Sequence, residues 1–353
     1  LTVQGSEQME YVYPQINYNI YNIQNSLFDG TLSLLNNGLI KRDLNENYTS
    51  LFSSQVDWRN SYIDSNFGVV FNNESNFRIV SISVDNKNTK DTENIRFFPQ
   101  ISSKISYPLI LETKRSIQSL SPSITPILAP YNNYTDNISI TNSNISSLNR
   151  AASITEWESG PRVNYGLEWF NEINNGVSMN ISLGQSYRFN KNNSDTIDEL
   201  SDYFLSSNVS INKKNYLNNS FIIDRNDKDV KSLNMNTFAE YKKFKIAVDY
   251  DYTSGKYSSA REQIGIGGEI DIVENLFLKF TGSKNLDTNK NIGYQYGILY
   301  ENDCLGIDLN YFRDLTVDRD ISESDGFSFT IVLKPFGSTK NYGNSRVFGP
   351  SIN

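Results

Sequence analysis

Histidine is absent from this 353-residue chain, and cysteine occurs once, as Cys304. Without imidazole there is no Ser-His-Asp triad, no histidine general base and no histidine-ligated metal. A single thiol closes no disulfide within the chain and builds no cysteine-cluster metal site. The remaining candidates for chemistry are charged residues set at every second position within apolar-alternating stretches. They are Arg162 with Glu168, Arg188, Lys245 with Asp249 and Asp251, Glu269 with Asp271, Lys279, and Asp308. Their spacing places each on the polar side of a strand. At the lipid-facing midplane of a membrane an Arg or Lys would cost about 2–4 kcal/mol, whereas beside a wet lumen it costs little. Strand by strand, the water-exposed face of a soluble sheet fits these charges equally well. The chemistry on offer is solvation and charge recognition; the expectation is a protein that is not an enzyme and has neither cofactor nor metal. A net charge of −8 argues against nucleic acid as a partner.

The elements that must position these charges are long alternating strands. Val177, Met179, Ile181 and Leu183 alternate with Ser178, Asn180, Ser182 and Gly184. Phe244 to Tyr252 and Leu305 to Tyr311 repeat the pattern. Such stretches run about ten residues, longer than the usual ~5–6 residues of soluble strands and close to the ~9–11 that a tilted strand needs to cross a bilayer. The pattern predicts about 17 strands, near residues 11–24, 30–41, 48–61, 66–82, 95–111, 117–130, 161–171, 176–190, 203–213, 216–224, 229–241, 244–253, 262–272, 276–284, 291–301, 304–314 and 325–334. Connections alternate short and long. Tyr62–Ser65, Lys242–Lys243 and Asn302–Asp303 are short; Ser83–Glu93, Tyr131–Gly160, Lys191–Asp202, Ser254–Arg261 and Leu315–Asp325 are longer and polar. This is the signature of periplasmic turns alternating with extracellular loops. The fold expected is an all-β, antiparallel transmembrane β-barrel.

The mean hydropathy of −0.49 hides such a barrel, because lumen-facing polar residues cancel lipid-facing apolar ones. No apolar run nears the ~20 residues of a membrane helix. The 22 Tyr and 20 Phe suit aromatic girdles at the two interfaces. The Asn- and Ser-rich segment Tyr131–Gly160 reads as a solvated surface loop, and residues 335–353, beyond the last alternating strand, as a flexible periplasmic tail.

Two stretches resemble a known family. The first runs Ser121-Pro122-Ser123-Ile124-Thr125-Pro126, Ala129-Pro130-Tyr131, Leu148-Asn149-Arg150, then Glu158-Ser159-Gly160-Pro161-Arg162-Val163-Asn164-Tyr165-Gly166. The second runs Tyr300-Glu301-Asn302-Asp303-Cys304, Tyr311-Phe312-Arg313-Asp314, Asp318-Arg319-Asp320-Ile321 and Gly326 to Gly337. In order and spacing they are similar to the outer-membrane lipopolysaccharide-assembly family LptD (OstA/Imp). The resemblance implies a larger barrel of about 26 strands, with residues 1–334 as its C-terminal portion and roughly nine strands plus a periplasmic jellyroll lying upstream. It implies the outer membrane of a Gram-negative bacterium. It also implies lipopolysaccharide (LPS) as cargo, an LptE-like lipoprotein plug in the lumen, and periplasmic LPS-transport bridge proteins as partners.

Cys304, at the start of the penultimate strand, is then expected to bond a cysteine of the family's N-terminal region in the oxidising periplasm. The family often has two adjacent cysteines here; this chain has Asp303 and Leu305 on either side, and an incidental free thiol is the alternative. The last strand would form one side of a lateral gate between first and last strands: Gly326, Phe327, Ser328, Phe329, Thr330, Ile331 and Leu333, with the apolar members toward lipid and Ser328, Thr330 and Lys334 toward the lumen. A generic porin or nutrient-uptake barrel shares every one of these barrel-level features; a constriction loop folded inward would favour it.

Overall fold

The computed structural model describes residues 11–25, 29–43, 47–85, 91–131, 138–151, 156–174, 176–189, 199–212, 214–316 and 323–333. The tail 335–353, Lys334 and the whole Asp318–Ile321 stretch lie outside them. All regular structure among the described residues is β. The strands are β1 (Tyr11–Asn25), β2 (Gly30–Arg42), β3 (Tyr48–Asp64), β4 (Val69–Asp85), β5 (Thr92–Ser106), β6 (Leu109–Glu112), β7 (Ser116–Leu128), β8 (Arg162–Ile173) and β9 (Val177–Arg188). They continue as β10 (Tyr203–Ile211), β11 (Asn215–Ile223), β12 (Val230–Tyr241), β13 (Phe244–Thr253), β14 (Arg261–Val273), β15 (Leu276–Asn285), β16 (Lys290–Glu301), β17 (Leu305–Asp314) and β18 (Ser324–Leu333). These eighteen strands belong to one sheet, and the ladders resolved residue by residue are all antiparallel, for example β3–β4 and β12–β13.

Eighteen strands stand where the alternation predicts about 17, because the stretch 95–111 is split. Pro108 has no N–H to give to a ladder, so β5 ends at Ser106 and β6 starts at Leu109. The first hairpin of β3 and β4 also turns later than the sequence suggests. Its turn occupies residues 65–68 rather than 62–65: Gly68 N donates to the Asp64 carbonyl at 2.7 Å, Asn66 N donates to the Asp64 carboxylate at 2.9 Å, and Gly68 takes φ +71°. Left-handed backbone of this kind is the property of glycine that ends the strand here. The Lys242–Lys243 turn falls where expected, closing the Tyr241–Phe244 pair.

The chain forms two compact units. One comprises residues 1–109, 120–167 and 184–201; the other comprises 110–119, 168–183 and 202–353. In the first unit, β3, β4 and β5 sort their side chains by parity. Phe52, Val56, Phe77, Ile79, Ile95, Phe97 and Ile101 are exposed, while Ser53, Gln55, Asp57, Asn76, Gln100 and Ser102 are buried. This inverts the usual rule that apolar residues go inside. In the second unit, Phe244, Ile246, Leu309, Phe327 and Phe329 are exposed, and Glu269 and Asn310 are buried. Among the described residues, a buried hydrophobic cluster lies on the polar side of the first unit: Val80, Phe98 and Trp157, with Ile82 packed against them.

Candidate functional site

The connection between β7 and β8 is not a solvated loop along its described length. Leu148, Arg150, Trp157, Glu158 and Ser159 are buried, so the expectation for Tyr131–Gly160 fails for this part. The local chain explains the fold. Asn149 Oδ1 accepts from the amides of Ala151 at 3.2 Å and Glu158 at 3.1 Å, drawing the two ends of an internal excursion together. Gly160 N donates to the Pro130 carbonyl at 3.1 Å. Gly160 takes φ +81°, and a Cβ there would meet the Tyr131 ring at 2.7 Å, so only glycine closes this junction without strain.

Within the same unit, this closure delivers Glu158 to three arginines. Arg150 Nε donates to Glu158 Oε2 at 2.7 Å, and Arg150 Nη2 bonds Oε1 as well, a bidentate pair. Arg162 Nη2 stands 3.4 Å from Oε2, and Arg188 Nε 3.5 Å from Oε1. Arg162 Nη2 also donates to the carbonyls of Ser147, at 3.2 Å, and Leu148. The side chains of Arg150, Arg162 and Glu158 are wholly buried. Burial alone would raise the Glu158 carboxyl, but Arg162, then Arg150 and Arg188, hold it below the ordinary range. The group is a clamp: one carboxylate ties the connection (Arg150, Glu158) to the first residue of β8 (Arg162) and the last of β9 (Arg188).

Trp157 fixes the segment from the other side. Its ring stacks on Phe98 of β5 with centroids 5.4 Å apart, and the Arg78 guanidinium of β4 lies 4.4 Å over it. Arg78 Nε donates to Gln55 Oε1 at 2.6 Å, and Gln55 in turn donates to Asp57 at 2.9 Å. Gln100 Nε2 donates to the Glu158 carbonyl at 2.9 Å. The connection therefore folds onto the polar faces of β3, β4 and β5, the faces opposite their exposed Phe and Ile side chains.

The other candidates named from the sequence lie in the second unit and do not join this cluster. Lys245 and Glu269 are cross-strand partners with Nζ and Oε1 2.5 Å apart. Lys279 reaches Asp308 at 2.6 Å, passing Gly297, its partner on β16. Asp249 and Asp251 accept from Asn236 and Asn234, each directly opposite. Glu168 accepts from Asn180 at 2.9 Å. Cys304 is exposed and belongs to the turn rather than the strand, since β17 starts at Leu305. Asn302 Oδ1 accepts from the amides of Cys304 at 2.9 Å and Leu305 at 2.8 Å. On β18, Phe327, Phe329, Ile331 and Leu333 are exposed, and Gly326 and Ser328 are half-buried. No group of three or more Cys, Asp and Glu side chains among the described residues is placed to hold a metal.

Sequence reasoning quoted Arg150 and Glu158 only as parts of a pattern and did not single out Trp157, Arg78 or Gln55. The available signal was the Glu158–Arg162 spacing around Gly160-Pro161; the partners Arg150 and Arg188 come from fold, not from spacing.

Three comparisons bear on identity. The family profile described as LPS transport system D matches residues 9–276, which includes the whole cluster and the first of the two resembling stretches. No curated protein sequence matches the chain. Among solved structures, a triple mutant of the Rhodopseudomonas blastica porin is similar at 10% identity, covering 92% of this chain and 99% of its own, with a TM-score of 0.33. Another mutant of the Rh. blastica porin is similar at 11% identity, covering 85% and 99%, with a TM-score of 0.34. Scores in this range do not establish a shared topology.

Proposed function

The chain belongs to the LPS transport system D (LptD) family, and on that premise we propose that it works in the outer membrane of a Gram-negative bacterium, placing lipopolysaccharide in the outer leaflet. The observation that carries this reading is the family match over residues 9–276. The sorting of side chains supports the membrane setting: exposed Phe, Ile and Leu suit lipid, and the opposite polar faces, with buried ion pairs, suit a lumen. In this reading the acyl chains leave through a seam beside β18, and the sugar head passes along the polar faces. An LptE-like lipoprotein fills the lumen, periplasmic bridge proteins deliver the cargo, and Cys304, exposed in its turn, bonds an upstream cysteine of the full-length protein.

A closed barrel has no free edge, so lateral release needs a seam that opens. The test is a covalent staple in the full-length protein, with one cysteine at Ser328 and one on the strand facing β18. Oxidation should stop new lipopolysaccharide from reaching the cell surface, and reduction should restore it. Delivery at the normal rate with the staple fully formed overturns the gate.

One observation favours a second reading. The β7–β8 connection folds onto the polar faces of its unit, as a constriction loop does in a porin. A porin conducts through its lumen and tolerates the staple, so the same experiment separates the two.

A further inference from the structure

β5 and β7 share a short ladder. They pair at Ile101–Leu128, Ser102–Ile127, Ile105–Ile124 and Ser106–Ser123, and the amide of Tyr107 donates to the Pro122 carbonyl at 3.1 Å. In an antiparallel pair, a residue turns its N–H and C=O to the same neighbour, and every second residue does so. The Tyr107–Pro122 bond therefore assigns the odd residues of β5 and the even residues of β7 to their shared edge. On this register Pro122 stands opposite Tyr107 and Pro126 opposite Ser103, and Pro99, of the same parity on β5, turns toward the same edge. Each of these three prolines lacks the N–H that its place on the edge calls for. Four hydrogen-bonding pairs, from Tyr107–Pro122 to Ile101–Leu128, would carry eight bonds, and two of them have no donor; Pro99, the next residue of this parity on β5, has none to give either. The pairing lapses at Ser103–Pro126 and ends at Ile101–Leu128. The β4–β5 ladder, by contrast, runs unbroken past Pro99, opposite Phe77, because Pro99 turns its missing donor toward β7. Prolines are normally confined to edge strands and bulges; here they make an edge inside a sheet.

Where the ladder ends, an open cavity of about 410 Å³ is lined by Phe77, Pro99, Ile101, Leu128, Ala129 and Pro130, with Ser75 and Gln100 as its polar members. Phe77, Ile101 and Leu128 are among the exposed apolar residues, so the cavity lies on the apolar face. It lies beside the middle of β4 and β5, at the point where β7 ends. Its walls are almost wholly apolar, with no charged group to hold a headgroup.

We propose that this cavity is a binding site for one acyl chain of a membrane lipid, and that the donor-depleted β5–β7 edge lets the tail enter. Water in such a space forfeits hydrogen bonds that the walls cannot return, and a sugar or phosphate fares worse. A tail loses nothing and buries its methylenes. The mid-strand position puts the site at hydrocarbon depth when the strand crosses a bilayer. The site rests on the membrane setting proposed above, but on neither lipopolysaccharide as cargo nor a gate at β18.

The experiment uses the full-length protein in phosphatidylcholine vesicles holding a trace of phosphatidylcholine with a mid-chain diazirine. After irradiation, labelled residues are mapped by mass spectrometry. Label should concentrate at Pro99–Ile101 and Leu128–Pro130, several-fold above exposed apolar positions such as Ile298 and Leu309. Leu128→Trp, which fills the cavity, should reduce it to their level. Pro122→Val with Pro126→Val, which restores two donors, should reduce it without blocking the cavity. Folding of each variant is checked by heat-modifiable mobility, and Ile101→Trp replaces Leu128→Trp if that variant does not fold. Even labelling of all apolar strands, or labelling unchanged in the folded variants, overturns the site. Lipopolysaccharide delivery is scored separately in cells: site labelling with delivery independent of this chain would remove the proposed function and leave the site standing.

Discussion

Glu158→Ala should be among the most damaging single changes in this chain. Glu158 is the one carboxylate shared by Arg150, at 2.7 Å, Arg162, at 3.4 Å, and Arg188, at 3.5 Å. Removing one partner of a buried pair costs about 3–5 kcal/mol, because the charge left behind is uncompensated. Here three guanidinium groups are left facing one another, which puts the expected loss toward the upper end of that range. Against a total stability of about 5–15 kcal/mol, this removes a large share. The assay is urea unfolding of protein folded into vesicles, followed by tryptophan fluorescence, with Trp157 adjacent to the lesion. The midpoint should fall with little change in slope, since the surface exposed on unfolding hardly changes. Glu158→Gln keeps an acceptor for Arg150 Nε and should fall between parent and Ala. The two variants should also flatten the acid dependence. The folded-state pKa of Glu158 is depressed, so its contribution is present above the unfolded-state pKa and is lost as pH falls through the folded one; without the carboxylate that loss disappears. A Glu158→Ala penalty below about 1 kcal/mol, the range of exposed surface pairs, would refute the clamp.

Trp157→Ala should cost about 3–5 kcal/mol, as large-to-small aromatic changes in a core do, and should make the β7–β8 connection cleavable by added protease while the strands stay intact. Ile181→Arg should impair barrel assembly, read by heat-modifiable mobility, by about 2–4 kcal/mol; Ser182→Arg should be milder, since Ser182 sits on the polar side with its Oγ 2.6 Å from Ser206 Oγ. Equal effects would mean that β9 does not face lipid. In the connection after β11, Asp224 is held down to about 2, chiefly by the Asp227 amide. Protection of that amide from hydrogen exchange should therefore persist through mild acid and fade only as pH falls toward that value. In a Cys304→Ser background, cysteine at Ser143 should react with an impermeant reagent in intact cells, and cysteine at Lys243 should not; the reverse would invert the topology.

The strands were legible because their signal is local. Alternation at period two needs only neighbours, and it placed β13 at 244–253, as observed. Where bounds slipped, a nonlocal or backbone effect decided. Pro108 split one stretch, and the turn at Gly68 lengthened β3 to Asp64. Polar parity was also local, so Glu269 and Asp308 could be assigned to the polar side before any partner was known. Their cross-strand partners were not legible, because pairing Lys245 with Glu269 needs the register. The clamp was the least legible. Composition marked the β7–β8 connection as solvent-loving, rich in Asn and Ser, and nothing local says that Trp157 will find Phe98, far away in sequence.

That blind spot has a physical cause that bears on function. A lumen-facing surface is polar, so a segment that packs on it must also be polar, and hydropathy then reads a buried segment as an exposed one. Here the packing is achieved with few apolar contacts: one aromatic stack, one cation over a ring at 4.4 Å and one carboxylate among three arginines. Apolar burial is tolerant of small displacements, whereas charge-assisted hydrogen bonds weaken steeply with distance and angle. A segment held this way has one well-defined seat and releases from it sharply once the carboxylate is lost.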